Sequence, residues 1–374
     1  MVTESRDNAQ GGRNVAIDLL RAIAILSVVG LHWIDSNWLA RTRSVAGDIF
    51  VRMAGHGTYG VTLFFVLSGF LITRMTMARE PDLFKLSARD FYIRRIARIQ
   101  PLYLLVVAFG ALILLLTEPG SAAFRFCFRD PSAVFTADFW ISLLTFTFNW
   151  DRILHGNFWG VHWDVMWSLA VEEQFYLGFP LLLIWAGTKR RLGWSLGAVV
   201  VLGIAVRVLV DALGLSFFAK VTNSFVCFDT LAIGVLLAVF GDRFPRGRAV
   251  SVACLAIGTA AVLWSFYRGG TALLIAGAVV ALHGARYAPP LTHWAWKPIA
   301  RFGQLSYGIY LLHATALYVA APVLTGMGVL SGFVLVAMLV LVMAEIAYRL
   351  YEAPMNAWIR ASWIGTWEAA SAKA

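Results

Sequence analysis

Ten stretches of about twenty predominantly apolar residues are spaced along this chain, and stretches of that length belong in the hydrocarbon core of a bilayer. They lie near residues 15–34, 59–78, 99–117, 163–186, 193–213, 222–241, 249–267, 271–287, 304–323 and 328–350. In lipid each backbone N–H and C=O must find its partner within the segment, so such runs read as helices. Composition agrees: 60% of the 374 residues are hydrophobic and 14% are charged. Soluble domains run nearer 45–50% apolar and about 25% charged. The expected fold is all-α, a polytopic membrane helix bundle of about ten transmembrane helices. The run 139–150 is too short to span and reads as a re-entrant or interfacial piece, with Trp140, Trp150 and Trp159 at headgroup level. The first run, from Val15, lacks a small-residue cleavage site and reads as a retained helix, not a signal peptide.

The formal net charge of +10 has two readings, and loop position chooses between them. Ten spans place both termini on one side. With the termini cytoplasmic, the inner segments hold 20 of the 31 Lys and Arg residues and the outer segments 8. Arg21, Arg74 and Arg207 sit within or at the edge of spans. This positive-inside bias predicts a multi-pass protein of the inner (plasma) membrane in contact with lipid, not a nucleic-acid binder. Residues 1–14 and 356–374 read as cytoplasmic tails around a membrane domain at 15–355. The three cysteines are scattered and suggest neither a disulfide framework nor a metal cluster.

Charge at bilayer depth is costly and marks a wet cavity or a bundle interior. Asp18, Arg21 and His32 share one face of the first helix. An eleven-residue separation returns to within about 20° of the same direction and advances about 16 Å. Asp18 and Arg21 can neutralise each other or serve a ligand, and His32 can be catalytic or interfacial. Glu172 and Glu173 are adjacent in an apolar span; one can pair with a cation while the other orients or deprotonates a histidine. Arg94, Arg95 and Arg98 lie at the cytoplasmic mouth of the third span. Their guanidiniums suit phosphate groups, although positive-inside anchoring to lipid predicts the same run. Ser68 beside Gly69, and Ser306 seven residues before His313, are read first as packing features.

Taken in order, these stretches resemble the acyltransferase-3 family of membrane O-acyltransferases. The matching residues are Arg21 and His32; Phe65-x-Leu67-Ser68-Gly69-Phe70-Leu71-Ile72; Arg94-Arg95-x-x-Arg98-Ile99-x-Pro101; Trp167-Ser168-Leu169-x-x-Glu172-Glu173-Gln174-Phe175-Tyr176; Ser306-Tyr307-x-Ile309-Tyr310-Leu311-x-His313; and Tyr351-Glu352-x-Pro354. One departure stands out: Cys227-Phe228 precede Asp229-x-Leu231-x-x-Gly234, where many members carry a basic residue.

The resemblance implies transfer of an acetyl or other short acyl group from cytoplasmic acyl-CoA, with acetyl-CoA the first choice. The implied acceptor is a hydroxyl of a carbohydrate, glycolipid or glycosylated natural product. It implies no metal. His32 is then a general base or a covalent acyl carrier, supported by Glu172 or Glu173. Arg21, Arg94, Arg95 and Arg98 are the cofactor-binding residues, joined through the same motifs by Ser68, Tyr307 and His313; Asp18 is a structural ion-pair partner. The rival reading is a polytopic secondary transporter with buried charges. It usually carries inverted repeats with broken helices, and the chain shows no internal repeat.

Overall fold

The structure is a computed structural model and describes residues 14–35, 44–116, 118, 136–156, 160–245, 247–287, 294–324 and 327–365. Among the described residues it is helical, without strands. Ten long helices follow the apolar runs: α1 Val15–Asp35, α2 Thr58–Arg79, α3 Ala88–Leu116, α4 Met166–Ala186, α5 Lys189–Ala212, α6 Ser224–Phe240, α7 Arg248–Arg268, α8 Thr271–Tyr287, α9 Ser306–Leu324 and α10 Val329–Ala347. Among the described residues nine helical segments are long and apolar enough to cross a membrane, and α8 is the shorter apolar helix of the set. Its 17 residues reach only about 26 Å against a hydrocarbon thickness of about 30 Å.

The chain divides into two compact units. The first holds α1, α2, α5, α6, α7 and α8, ending at Ser306; the second holds α3, α4, α9 and α10 with the segment Ser216–Ser224.

In the first unit, Ile17, Leu20, Leu67, Phe70, Leu237, Phe266 and Leu282 build one core from five helices. Apolar burial contributes little between helices already in lipid, so close backbone approach at small residues matters more. A Cβ on Gly69 would lie 2.0 Å from the Leu231 carbonyl oxygen, and one on Gly234 would lie 2.1 Å from that of Val66. The α2–α6 crossing is therefore set by a reciprocal glycine contact. The unit has two chemically distinct ends. At one, Gly57 packs on Ser27 and Leu31 of α1, and the Gly270 N–H donates to the Tyr59 hydroxyl at 3.0 Å. At the other, the short helix Trp296–Gln304 crosses α1 at Gly303, against the Asp18 backbone.

In the second unit, α3 begins eleven residues before the apolar run at 99, so the arginine-rich segment forms its first turns, and Pro101 is accommodated inside the helix. Those turns are covered on one side: Phe91 meets Phe179 at 5.9 Å between ring centres, and Ile93 and Ala97 pack with Ile359 and Ile364. That contact requires the C-terminal segment to stay helical past residue 350. It does so through a widened turn at Tyr348–Glu352, the helix Ala353–Arg360 and a last turn to Gly365.

The run 139–150 is two short helices, Ala137–Leu144 and Phe148–His155, separated by Phe146 at φ 57. They are tied into protein. Gln174 of α4 donates to the Phe146 carbonyl at 2.6 Å and to Asn149 Oδ1 at 2.8 Å, and Asn149 donates to Ser224 Oγ at 2.8 Å. Trp159 lies outside the described residues.

Candidate active site

In the first unit, α1 carries Asp18 and Arg21 near its start and His32 in its last turn. Asp18 is buried, yet its Oδ1 is 4.0 Å from Arg21 Nη1, at the limit of an ion pair. The closer partner of Arg21 is Ser306, whose Oγ accepts from Nη2 at 2.8 Å. Gln304 Nε2 reaches Asp18 Oδ2 at 3.4 Å. The Asp18–Arg21 pair thus belongs to a wider polar cluster with Ser306 and Gln304. Arg21 keeps 22% of its side chain exposed.

His32 is half-buried, and its Nδ1 lies 3.2 Å from the Val28 carbonyl one turn back. A carbonyl can only accept, so Nδ1 must carry the proton there. In the neutral ring the basic lone pair then sits on Nε2. With Nδ1 donating to Val28, Nε2 is the ring's acceptor nitrogen. Ser68 is half-buried on α2, next to the glycine that fixes the α2–α6 crossing.

In the second unit the three arginines separate. Arg98 forms an ion pair with Glu352, which is only 3% exposed, and lies 5.8 Å from the centre of the Tyr307 ring. Tyr307 donates to the Ile99 carbonyl at 2.5 Å, so Arg98, Glu352 and Tyr307 form one packed group. Arg95 lies over the Tyr176 ring at 5.7 Å, and Tyr176 donates to Glu172 Oε1 at 2.6 Å. No carboxylate among the described residues lies within ion-pair range of Arg94 or Arg95. Glu173 differs from its neighbour: its Oε1 is buried without a hydrogen-bond partner. His313 is fully buried, with Nδ1 2.6 Å from the Tyr310 carbonyl; Tyr310 also bonds Ser168 at 2.7 Å.

Three groups carry more weight than the sequence suggests. Glu352 lies within the sixth matching stretch but declares its partner only through the fold. Arg152 and Asp164 form a buried pair at 2.8 Å, with Arg152 stacked 4.2 Å from the centre of Phe218. Burial pulls the Arg152 guanidinium below its ordinary range, and the Asp164 charge opposes that shift. Asp229, which lacks the basic neighbour that many family members carry, accepts from Arg207 of α5 at 2.9 Å. The counter-charge comes from another helix. Among the described residues no cluster of His, Cys, Asp and Glu is arranged to hold a metal ion.

The family model described as "Acyltransferase domain" matches residues 14–348. A putative peptidoglycan O-acetyltransferase of Bacillus subtilis is 28% identical, over 91% of this chain and 54% of its own length. A peptidoglycan O-acetyltransferase of Listeria monocytogenes is 26% identical, over 91% and 55%. An O-acetyltransferase of Staphylococcus aureus is 26% identical, over 91% and 57%. The chain spans about half the length of these curated relatives. No solved structure matches it.

Proposed function

Because the chain belongs to the acyltransferase-3 family, we propose that it moves an acetyl or other short acyl group from acyl-CoA, acetyl-CoA first, to a carbohydrate hydroxyl. Relatives named as peptidoglycan O-acetyltransferases make a cell-wall glycan the first acceptor to test. Glycolipids and glycosylated natural products come second.

The observation that carries this reading is the Nδ1 contact of His32 with Val28. Nε2 then removes the proton from the acceptor hydroxyl as its oxygen attacks the thioester carbonyl. The carbon–sulfur bond breaks, and the departing CoA sulfur takes the proton back from the imidazolium, leaving an ester and free CoA. Arg94 and Arg95 are assigned to the donor's phosphates through charge-assisted hydrogen bonds. Arg21 is assigned to the donor at the other end of α1 from His32, and Ser68 and Tyr307 to positioning it. Glu173, with an uncommitted buried oxygen, is the better acidic partner for the reaction than Glu172, which holds Tyr176. Loop charge supports a cytoplasmic donor and a plasma-membrane location.

The test is to incubate membranes carrying the wild-type chain or His32→Ala with radiolabelled acetyl-CoA and to fractionate the products. Wild type should place label on a saccharide fraction; the variant should reach the membrane in normal yield and transfer none. Substantial transfer by the variant would remove His32 from the chemistry.

A further inference from the structure

At the end of the first unit that carries His32, two arginines converge on one tyrosine. Arg52, in the short helix Val45–Ala54, lies 5.4 Å from the centre of the Tyr267 ring, and Arg268 lies 5.5 Å from it. Arg268 also lies 5.6 Å from the centre of Trp264, which is 53% exposed. Both arginines are exposed, and no carboxylate among the described residues is within ion-pair range of either. A guanidinium held on an aromatic face is pre-oriented, so it loses little freedom when its fork closes on an anion. Two of them make a local excess of positive charge on the side that the loop bias leaves poor in basic residues.

Neutral donors and acceptors lie alongside. His56 Nδ1 meets the Phe266 carbonyl at 3.0 Å and the Arg52 carbonyl at 3.1 Å, so Nε2 carries the ring's lone pair. Tyr59 stacks on His56 at 5.7 Å. Its hydroxyl accepts from Gly270 N–H and keeps its own proton to donate. The backbone at Gly269, with φ +86, lies beside His56 Nε2; a Cβ there would stand 3.3 Å from that atom. The turn that carries His56 packs on α1, the helix that carries His32. A Cβ on Gly57 would lie 2.3 Å from the Ser27 carbonyl oxygen and 2.5 Å from Leu31 Cβ, so the turn carrying His56 rests on α1 one residue before His32.

We propose that Arg52 and Arg268, held on Tyr267, bind an anionic group of the acceptor glycan, a carboxylate or phosphate, while His56 and Tyr59 take its hydroxyls. The site gives the acceptor a fixed approach to His32 from this end. It rests on the acyl-transfer reading for its purpose, but not for its test. Plain anchoring to anionic headgroups is the competing use of exposed arginine and tryptophan at an interface. It does not account for two guanidiniums sharing one ring beside the His32 turn.

The experiment uses the full chain in nanodiscs of phosphatidylcholine, without acyl-CoA. The probes are the disaccharide of N-acetylglucosamine and N-acetylmuramic acid, which bears a carboxylate, and its methyl ester. Binding is followed by tryptophan fluorescence. The acid should bind about tenfold tighter than the ester, as expected for charge-assisted contacts. Arg52→Gln with Arg268→Gln should erase that preference, and Arg268→Lys should keep part of it. Absence of a preference in wild type, including failure to bind either sugar, would overturn the proposal, as would a preference that survives the double variant. If the variants instead lose only a dependence on added phosphatidylglycerol, the arginines are lipid anchors and the proposal is wrong. Acid preference without acetyl-CoA turnover would keep this site and reject the acyl-transfer reading; turnover without preference would do the reverse.

Discussion

Arg94, Arg95 and Arg98 look alike in the sequence, and spacing alone groups Arg94 with Arg98 on one helical face. The fold divides them differently. Arg98 answers Glu352, a partner 254 positions away, and removing it strands a buried carboxylate. Breaking a buried pair costs about 3–5 kcal/mol; Arg98 is one-third exposed, so a value nearer 2 kcal/mol is expected. Arg98→Ala should therefore lower thermal stability and detergent-extracted yield. Arg94→Ala should keep yield and raise KM for acyl-CoA by the loss of one charge-assisted contact, about 1–3 kcal/mol. Thermal melts and steady-state kinetics on both variants separate the roles; an unchanged KM in Arg94→Ala would make that arginine a topology anchor. The adjacent glutamates admit the same treatment. Glu173→Gln keeps shape and removes charge, so it should depress kcat more than Glu172→Gln, whose neutral amide can still accept from Tyr176. Equal kcat values would dissolve the distinction. The one-face relation of Asp18, Arg21 and His32 was legible because it is local to a single helix. The Arg21–Ser306 and Arg98–Glu352 contacts were not, because no local period encodes a contact across hundreds of residues.

At the scale of elements, ten apolar runs became ten long helices, since backbone satisfaction in lipid leaves little else for such runs. Helices and apolar spans part company at two places. The start of α3 is polar but helical, because its other face packs on Phe179 and Ile359. The 139–150 run is a pair of short helices held by Gln174 and Asn149, polar contacts that an apolarity count ignores. Glycine position was readable only as a possibility; the reciprocal contact of Gly69 and Gly234 gives it content. Gly234→Ala would force a Cβ against the Val66 carbonyl and separate α2 from α6, at an overpacking cost of about 1–3 kcal/mol. Gly178→Ala meets nothing within 4 Å and should be close to neutral. Comparing melting temperatures of the two variants in detergent checks this. Equal melting temperatures would mean that the crossing yields without cost.

Across the bilayer, donor and acceptor are proposed to meet from opposite sides. The 20-to-8 distribution of basic residues supports a cytoplasmic placement for the arginine-rich start of α3, and in the proposed scheme the acceptor reaches His32, about 16 Å along α1 from Arg21, from the other side of the membrane. A soluble thioester cannot cross a bilayer, whereas a helical protein can carry its reactive carbonyl part of the way. The measurement that tests this most directly is transfer in oriented proteoliposomes, with acyl-CoA confined to one face and a saccharide acceptor to the other. Acyl-CoA on the Arg94 face with acceptor on the opposite side of the membrane should give ester, and the reversed arrangement should give none. Reaction only when both substrates share the Arg94 face would contradict the account and make the chain a cytoplasm-facing acyltransferase.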